Sequence, residues 1–415
     1  MENRQPKIRF SEFQDDWEQR KLKEIADFNP KSVLPDKFEY VDLESVVGTE
    51  IIAHRTETKE NAPSRAQRVA EKGDVFYQTV RPYQKNNYLF DLPYDNFVFS
   101  TGYAQLRPKV NSYFLLNRLQ EEKFVKKVLD RSTGTSYPAI NSNDLADIEV
   151  EIPLNDLEQS KIGIFFKQLD DTIALQQQEL DNLKQTKQGF LQKIFPKEGE
   201  IVPEVRFPGF TEDWEEHKLQ WFVDHSIIET PIDGNHGEKH PKTSDYVGSG
   251  IPFLMAKDIK NNIVDINNCV FINKSTARNL DKGFAKNDDI LLTHKATIGQ
   301  VGILKNLSEE YAVLTPQITY YRVINTNKLD RYFLSVVFRS PNFQKKLKEV
   351  AAQSTRPYIG ITEQRKLTIT VPSNIEEQRK IGDFFKQLDD TIALHQSELD
   401  VLKEAKKAFL QKMFI

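Results

Sequence analysis

Between residues 158 and 195 apolar side chains recur at alternating steps of four and three: Ile162, Phe166, Leu169, Ile173, Leu180, Leu183, Phe190 and Ile194, with Gln176 and Lys187 at the two remaining seam positions. The same rhythm returns near the end of the chain as Ile381, Phe385, Leu388, Ile392, Leu399, Leu402, Phe409 and Met413, with His395 and Lys406 in the polar places. A heptad seam kept over this length predicts two long helices that pack as a coiled coil. Phe165, Leu175 and Leu191, with Phe384, Leu394 and Leu410, widen the stripe, so each helix should touch more than its twin. A helix of this length would span ~57 Å at ~1.5 Å per residue, long enough to hold two domains well apart.

The two segments are copies. Glu158–Phe195 and Glu377–Phe414 align without gaps, and 28 of 38 positions are identical. A second repeat precedes each half. Arg9-Phe10, Phe13, Asp16-Trp17-Glu18 and Lys21-Leu22 return as Arg206-Phe207, Phe210, Asp213-Trp214-Glu215 and Lys218-Leu219. The first offset is 219 and the second 197, so the second half carries 22 more residues between entry motif and helix. Repetition at this scale sets the architecture before any single element does.

Between entry motif and helix lie two long inserts, about 23–155 and 220–374, that share little beyond their ends. Near the close of each, Thr135-Ser136-Tyr137-Pro138-Ala139-Ile140 matches Ser354-Thr355-Arg356-Pro357-Tyr358-Ile359. Alternating apolar residues follow (Ile148, Val150, Ile152; Leu367, Ile369, Val371) and predict a strand that Pro153 or Pro372 stops. Within the inserts, strands are predicted at Asp74–Tyr77, Phe97–Phe99, Asp289–Leu292 and Ile318–Tyr321, and helices over Phe114–Leu129 and Leu329–Val350. The expected fold is α+β: two mixed α/β domains, separated by two long helices packed as an antiparallel coiled coil, in a pseudo-twofold tandem repeat. The corresponding division is 1–156, 157–196, 197–374 and 375–415.

Composition adds limits. Hydrophobic residues make up 39% of the 415, enough for real cores, and no apolar run approaches a membrane span. The first residues carry charge without a following apolar stretch, which argues against a signal peptide, and a cytoplasmic protein is expected. The single cysteine, Cys269, allows no disulfide framework. Net charge is −4, unusual for a nucleic-acid reader. It is unevenly spread: residues 217–372 hold 21 Lys and Arg against 15 Asp and Glu, whereas 20–153 hold 19 against 20. Such a chain should need a partner to supply phosphate contacts.

Catalytic and metal motifs are scarce. Asp36 with Glu57 and Lys59 has the letters of a Mg²⁺ nuclease site but lacks strands to present it. No phosphate-binding P-loop occurs, nor the Asn-Pro-Pro-aromatic or Asp-Pro-Pro-aromatic tetrad of adenine methyltransferases, and His225, His236, His240 and His294 lack metal spacing. No metal, cofactor or catalysis is expected of this chain. What remains suits DNA reading. Gln78, Thr79, Arg81, Tyr83, Lys85 and Asn86 follow a strand of the first insert, and Thr293, His294, Lys295 and Thr297 follow the corresponding strand of the second. Thr135, Ser136 and Tyr137, with Ser354, Thr355, Arg356 and Tyr358, add hydroxyls, an arginine and aromatic rings. Arg and Lys grip guanine edges, Gln and Asn adenine edges, and hydroxyls settle on phosphate. Each loop by itself also fits an ordinary polar turn.

The tandem arrangement resembles the specificity (S) subunits of Type I restriction–modification systems. The resemblance rests on RFxxFxxxWE before each insert, the Thr/Ser-x-Pro-x-Ile loop, and EQ(R/S)KIGxFFKQLDDTIAL opening each helix, and it covers nearly the whole chain. It implies two target-recognition domains, each reading half of an asymmetric bipartite double-stranded DNA site. It also implies assembly with two methyltransferase (M) subunits that bind S-adenosylmethionine, and with restriction (R) subunits that use ATP and Mg²⁺. Methyltransferase contacts are then expected on the helices and frames. The competing reading is a coiled-coil scaffold bearing two unrelated binding domains.

Overall fold

The computed structural model describes residues 5–260, 262–352 and 357–415. They form two compact units: the first reaches to Gln178 and takes in Ser397–Ile415, and the second is Glu179–Gln396. Both boundaries fall inside the long helices, Asp156–Lys193 and Ile375–Lys412, of 38 residues each.

Each long helix starts where its sequence says it should. The side chains of Asn155 and Asn374 accept hydrogen bonds from the amides of Leu157 and Glu376 (both 2.9 Å), satisfying donors that the helix leaves unpaired. Carboxylates crowd the first turn, where the helix dipole favours them (Asp156 and Glu158; Glu376 and Glu377). The strand ahead of the helix pairs with the entry motif in an antiparallel ribbon. Glu18–Lys21 lies against Glu149–Ile152, and Trp214–Lys218 against Thr368–Pro372. Buried Glu158 then receives Arg9 through Nε (2.7 Å) and Nη2 (2.9 Å) and the Trp17 indole N–H (3.2 Å). In the second copy Glu377 receives Arg206 in the same fork (2.7 and 2.8 Å). The neighbouring glutamine closes the frame. Gln159 donates to the Pro153 carbonyl and accepts from the Asn111 amide; Gln378 does the same with Pro372 and Asp330.

Inside the first unit the insert folds as two four-stranded sheets. One has the order Arg55–Thr58, Lys37–Val41, Phe97–Ser100, Ala66–Val69; the other Ala26–Phe28, Tyr103–Pro108, Val75–Gln78, Tyr88–Leu89. The second unit repeats the plan with larger sheets. Ile232–Asp233, Ile318–Tyr321, Ile290–Thr293 and Val301–Ile303 are extended by the pair Ile263–Val264 and Ile259–Lys260, while Ile251–Leu254 and Ala312–Leu314 lie central in the other sheet. The shared topology extends to single residues. Asp74 is buried and takes a forked bond from Arg107 (3.0 and 3.1 Å), as Asp289 does from Arg322 (2.8 and 2.7 Å). In both, the preceding residue has a left-handed backbone (Gly73, φ 96°; Asp288, φ 75°), and the aspartate caps the amide three residues back.

The helical stretches of the inserts differ from expectation. Each is two helices meeting at a corner: Ser112–Gln120 and Glu122–Asp130, and Arg331–Arg339 and Pro341–Ala351. In the second insert Ser340 caps the new helix and Pro341 occupies its first turn, a position proline tolerates, whereas it would break a continuous helix.

The seam is antiparallel within each unit. In the first, Phe165 meets Phe409 (4.9 Å between ring centres), Asp170 pairs with Lys406 (2.5 Å) and Gln176 bonds Glu398 (2.9 Å). In the second, Phe190 meets Phe384 (5.0 Å), and Asp389 pairs with Lys187 and with Arg339 (2.6 Å). Ile162, Phe166, Leu180, Ile381, Phe385 and Leu399 are buried, and Leu169, Ile173, Leu183, Leu388, Ile392 and Leu402 half-buried. The two seam lysines thus sit against carboxylates of the opposite helix, a device that fixes register. Burial pulls the Lys187 ammonium below its ordinary pKa, against the pull of Asp389.

The helix ends are exchanged. Met413 and Phe414, from the last residues of the chain, complete the core of the first insert, where Phe414 packs on Trp17, Phe114 and Phe166. Ile194 and Phe195 do the same in the second, against Trp214, Phe333 and Phe385. Truncating a buried phenylalanine costs about 3–5 kcal/mol. Phe414→Ala should therefore loosen the first insert, although it lies far from it in sequence. Hydrogen exchange should rise over 112–130 and stay unchanged over 331–351, with Phe195→Ala giving the reverse. Equal loosening of both would show that the helix ends do not belong to separate cores.

Candidate nucleic-acid interface

In the first insert, the loop after Val75–Gln78 and the segment 133–140 are joined. The amide of Arg81 bonds the Pro138 carbonyl (2.7 Å), and the amide of Ile140 the Thr79 carbonyl (3.0 Å). The second insert joins the equivalent segments. The Ile359 amide bonds the His294 carbonyl (3.0 Å), and Lys295 forms a bridge with Tyr358. Arg81 and Ala296, at matching places, both adopt left-handed backbone (φ 55° and 66°), which turns the chain out of the sheet. Two loops named apart from sequence therefore meet at one end of one sheet in each insert.

Within these loops the side chains divide into two sorts. Gln78 and Thr79 are buried: Gln78 Nε2 donates to the Val80 carbonyl (2.7 Å) and Gln84 (2.9 Å), and the Thr79 hydroxyl to the Gly102 carbonyl (2.8 Å). Gln78 Oε1 is left without a partner beside a cleft of about 290 Å³ that Leu43, Val47, Arg81 and Asn86 also line. Asn86 Oδ1 holds the Gly48 amide (2.9 Å) and Lys85 is neutralised by Glu122 (2.6 Å). Tyr83, Thr135, Ser136 and Tyr137 are exposed, and the Arg81 guanidinium lies over the Tyr137 ring at 4.3 Å. In the second insert Thr293 and His294 are fully buried, while Lys295, Thr297 and Tyr358 are exposed, with Lys295 Nζ 5.9 Å from the Tyr358 ring centre. Ser354, Thr355 and Arg356 lie outside the described residues.

Sequence reasoning missed the hairpin Val46–Val47 and Glu50–Ile51, which packs beside the first loop; Val47 and Ile52 are exposed there. Its signal was weak, because two-residue strands have no period to read. Also missed was the loop after Ile232–Asp233, where buried Asp233 binds Lys282 and His236 (2.7 Å to the latter). The nuclease-like letters do have strands beside them, contrary to expectation: Asp36 immediately precedes Lys37–Val41, which pairs with Arg55–Thr58, and Lys59 Nζ lies 3.8 Å from Asp36. Asp36 is nevertheless almost wholly exposed, and Glu57 is taken by Arg55 (2.8 Å). Among the described residues no group of three His, Cys, Asp or Glu could hold a metal, and no helix is long and apolar enough to cross a membrane.

His294 anchors its loop through a buried chain of hydrogen bonds. Gln364 Nε2 donates to the Thr319 hydroxyl (3.1 Å), which also hydrogen-bonds His294 Nδ1 (2.8 Å). Nε2 is buried without a partner, so nothing on that side of the ring holds a second proton and the imidazole is neutral. Burial pushes its pKa down to about 4. Between about pH 6.5 and 4 the unfolded chain would carry a proton here that the folded chain refuses, so stability falls as pH drops through that window. The loss should be on the order of 3 kcal/mol. His294→Gln should flatten this part of the pH–stability curve of the second insert, measured by hydrogen exchange or melting. An unchanged slope would show that His294 is not the titrating group.

Comparison with known proteins bears on the family and the fold. The family model described as "Type I restriction modification DNA specificity domain" matches twice, over residues 14–185 and 212–404. The MjaVIII Type I restriction enzyme specificity subunit of Methanocaldococcus jannaschii is 24% identical over 309 residues, 72% of this chain and 68% of the relative. Among solved structures, the Type I restriction–modification S subunit from M. genitalium shares the fold with a TM-score of 0.66 at 15% identity, over 99% of both chains. A chain from a study of assembly and conformational transition in the Type I system matches with a TM-score of 0.54 at 22% identity, over 96% of this chain and 97% of that one. With two matched copies that together span most of its length, the chain belongs to the Type I restriction–modification specificity subunits, the family that supplies DNA sequence recognition to partner methyltransferase and restriction subunits.

Proposed function

We propose that each insert reads one half of an asymmetric bipartite DNA site, and that the loop pair at its sheet end is the reading surface. The observation that carries this is the pairing itself: two inserts of one topology, on near-identical frames, present two joined loops whose sequences differ. The frame is held constant and the loops vary, as separate reading of two half-sites requires.

In this reading Arg81, Tyr83, Asn86, Thr135, Ser136 and Tyr137 of the first insert face DNA, as do Lys295, Thr297 and Tyr358 of the second, with Ser354, Thr355 and Arg356 in the same segment. Gln78, Thr79, Thr293 and His294 hold the loops in shape, and Lys85 is tied to Glu122. The long helices set the unread spacer. Their half-buried seam and exposed flank, which includes Leu157, Ile164, Leu175 and Leu394, support docking of two methyltransferase subunits, with restriction subunits joining that assembly.

Exchanging residues 23–155 for the matching insert of a relative should change one half-site and leave the other and the spacer as they were. Lengthening both helices should alter the spacer alone. Lys295→Ala should cost about 1–3 kcal/mol and relax one base position if it reads a base edge, or weaken all sequences alike if it holds a phosphate. A methylome for each variant is the measurement. An insert exchange that alters both half-sites would end the modular reading.

A further inference from the structure

The first insert is almost neutral, with 19 Lys and Arg against 20 Asp and Glu over residues 20–153, but its ion pairs are unevenly placed. Lys72, Lys85, Arg107, Lys109, Arg118 and Lys127 each meet a carboxylate. Among the described residues Arg65, Arg68 and Arg81 form no ion pair; neither do Lys31, Lys37, Lys123, Lys126 and Arg131, but those five are all exposed, whereas Arg68 and Arg81 are half-buried.

The first three stand near one turn. The Arg65 carbonyl takes the Thr101 amide (2.8 Å), and the adjoining Gly102 carbonyl takes the amide of Thr79 (3.0 Å), two residues before Arg81. Arg68 lies opposite Phe99 in the neighbouring strand, two residues before Thr101. Arg65 and Arg81 therefore stand at the loop-bearing end of the sheets, and Arg68 three residues farther along the strand that Arg65 leads into. Arg68 is the unusual one. It is half-buried, its Nε is closed to solvent without an acceptor, and burial draws its pKa down with nothing to oppose it. A partly desolvated guanidinium with no counterion is unfavourable, and an anion arriving from outside would relieve it.

The second insert treats the same place differently. Phe284 faces Val313 as Val69 faces Val98, so Gly283 stands where Arg68 does. The next cation, Lys282, is neutralised by buried Asp233.

We propose that Arg65, Arg68 and Arg81 form a phosphate grip on the first insert, with Arg68 held ready for an oxygen of the DNA backbone. This rests on the DNA-reading role proposed above. A guanidinium fork matches phosphate geometry, and stacking on Tyr137 fixes the direction of Arg81.

The test uses the chain assembled with its methyltransferase subunits, carrying Arg68→Met. Binding is titrated against a random-sequence duplex and a duplex bearing the methylated site, across a range of salt. Affinity should fall about five- to tenfold on both duplexes alike, and the slope of log K against log salt should flatten by about 0.9, one phosphate's share. The melting temperature should hold or rise, because an uncompensated charge has gone. Unchanged affinity and slope would overturn the proposal. So would lower melting with an unchanged slope (a structural arginine), loss at a single base pair (a base reader), or weakened subunit assembly with DNA affinity intact (a protein contact). The unmodified complex, run alongside, separates this from the wider reading: if it shows no salt-dependent, sequence-selective binding, the DNA-reading role itself falls.

Discussion

A buried guanidinium–carboxylate fork roots each long helix in its domain: Arg9 on Glu158, and Arg206 on Glu377. Breaking such a pair strands a charge at a cost of about 3–5 kcal/mol, so neither partner can drift alone. The fork does more than stabilise. It ties the entry motif to the first turn of the helix, and the glutamine beside it ties that turn to the start of the insert's helix pair. At this crossing the backbones are close: a Cβ on Gly163 would come within 2.3 Å of the Asn111 side chain, and one on Gly382 within 2.7 Å of Asp330. The Glu-Gln at the head of each helix repeat and the glycine five residues after the glutamate are therefore packing requirements, which accounts for their survival in both copies.

This constraint separates what varies from what is fixed. Ribbon, fork and helix form a socket, and the exchanged helix end fills its floor. Above the socket, only the fold of the insert need be kept, and the Asp74–Arg107 and Asp289–Arg322 forks show how few residues keep it. Loops at the far end of the sheet carry no such duty beyond their own anchoring. A protein that must change its DNA target without rebuilding its partner contacts needs this division.

The repeats and heptads were legible because their signals are local: periods of three and four, and identity at a fixed offset. The frame strands could be read from alternation ended by proline. The kinship of the inserts was not legible, since sheets are built from pairs distant in sequence, such as Thr79 with Gly102 or Arg81 with Pro138, and few residue identities survive between the two. The same limit explains the loops. Their composition was visible, but whether Thr79 or His294 points inward depends on Gly102 and Thr319, which no local pattern links to them. The helix corner at Ser340-Pro341 was legible in principle, because proline after a serine cap begins a helix as readily as it ends one.

Net charge was the feature of the sequence that argued against a DNA reader, and the structure shows why it is a poor guide here. Charges exposed to solvent act over a screening length of about 8–10 Å at ordinary salt, so carboxylates elsewhere in the chain scarcely reach a phosphate at the loop end. What matters at that distance is whether a cation is already satisfied. Lys85 is held by Glu122 and Lys282 by Asp233, whereas Arg81 lies over the Tyr137 ring and meets no carboxylate among the described residues. A neutral insert can therefore present a positive face. The acidic stretch from the end of the first long helix into the second entry motif, with 7 carboxylates against 2 cations over residues 196–216, lowers the total at a place in the chain remote in sequence from both loop pairs. Partner subunits that add their own cations would then raise affinity for all sequences, leaving to this chain the choice among them.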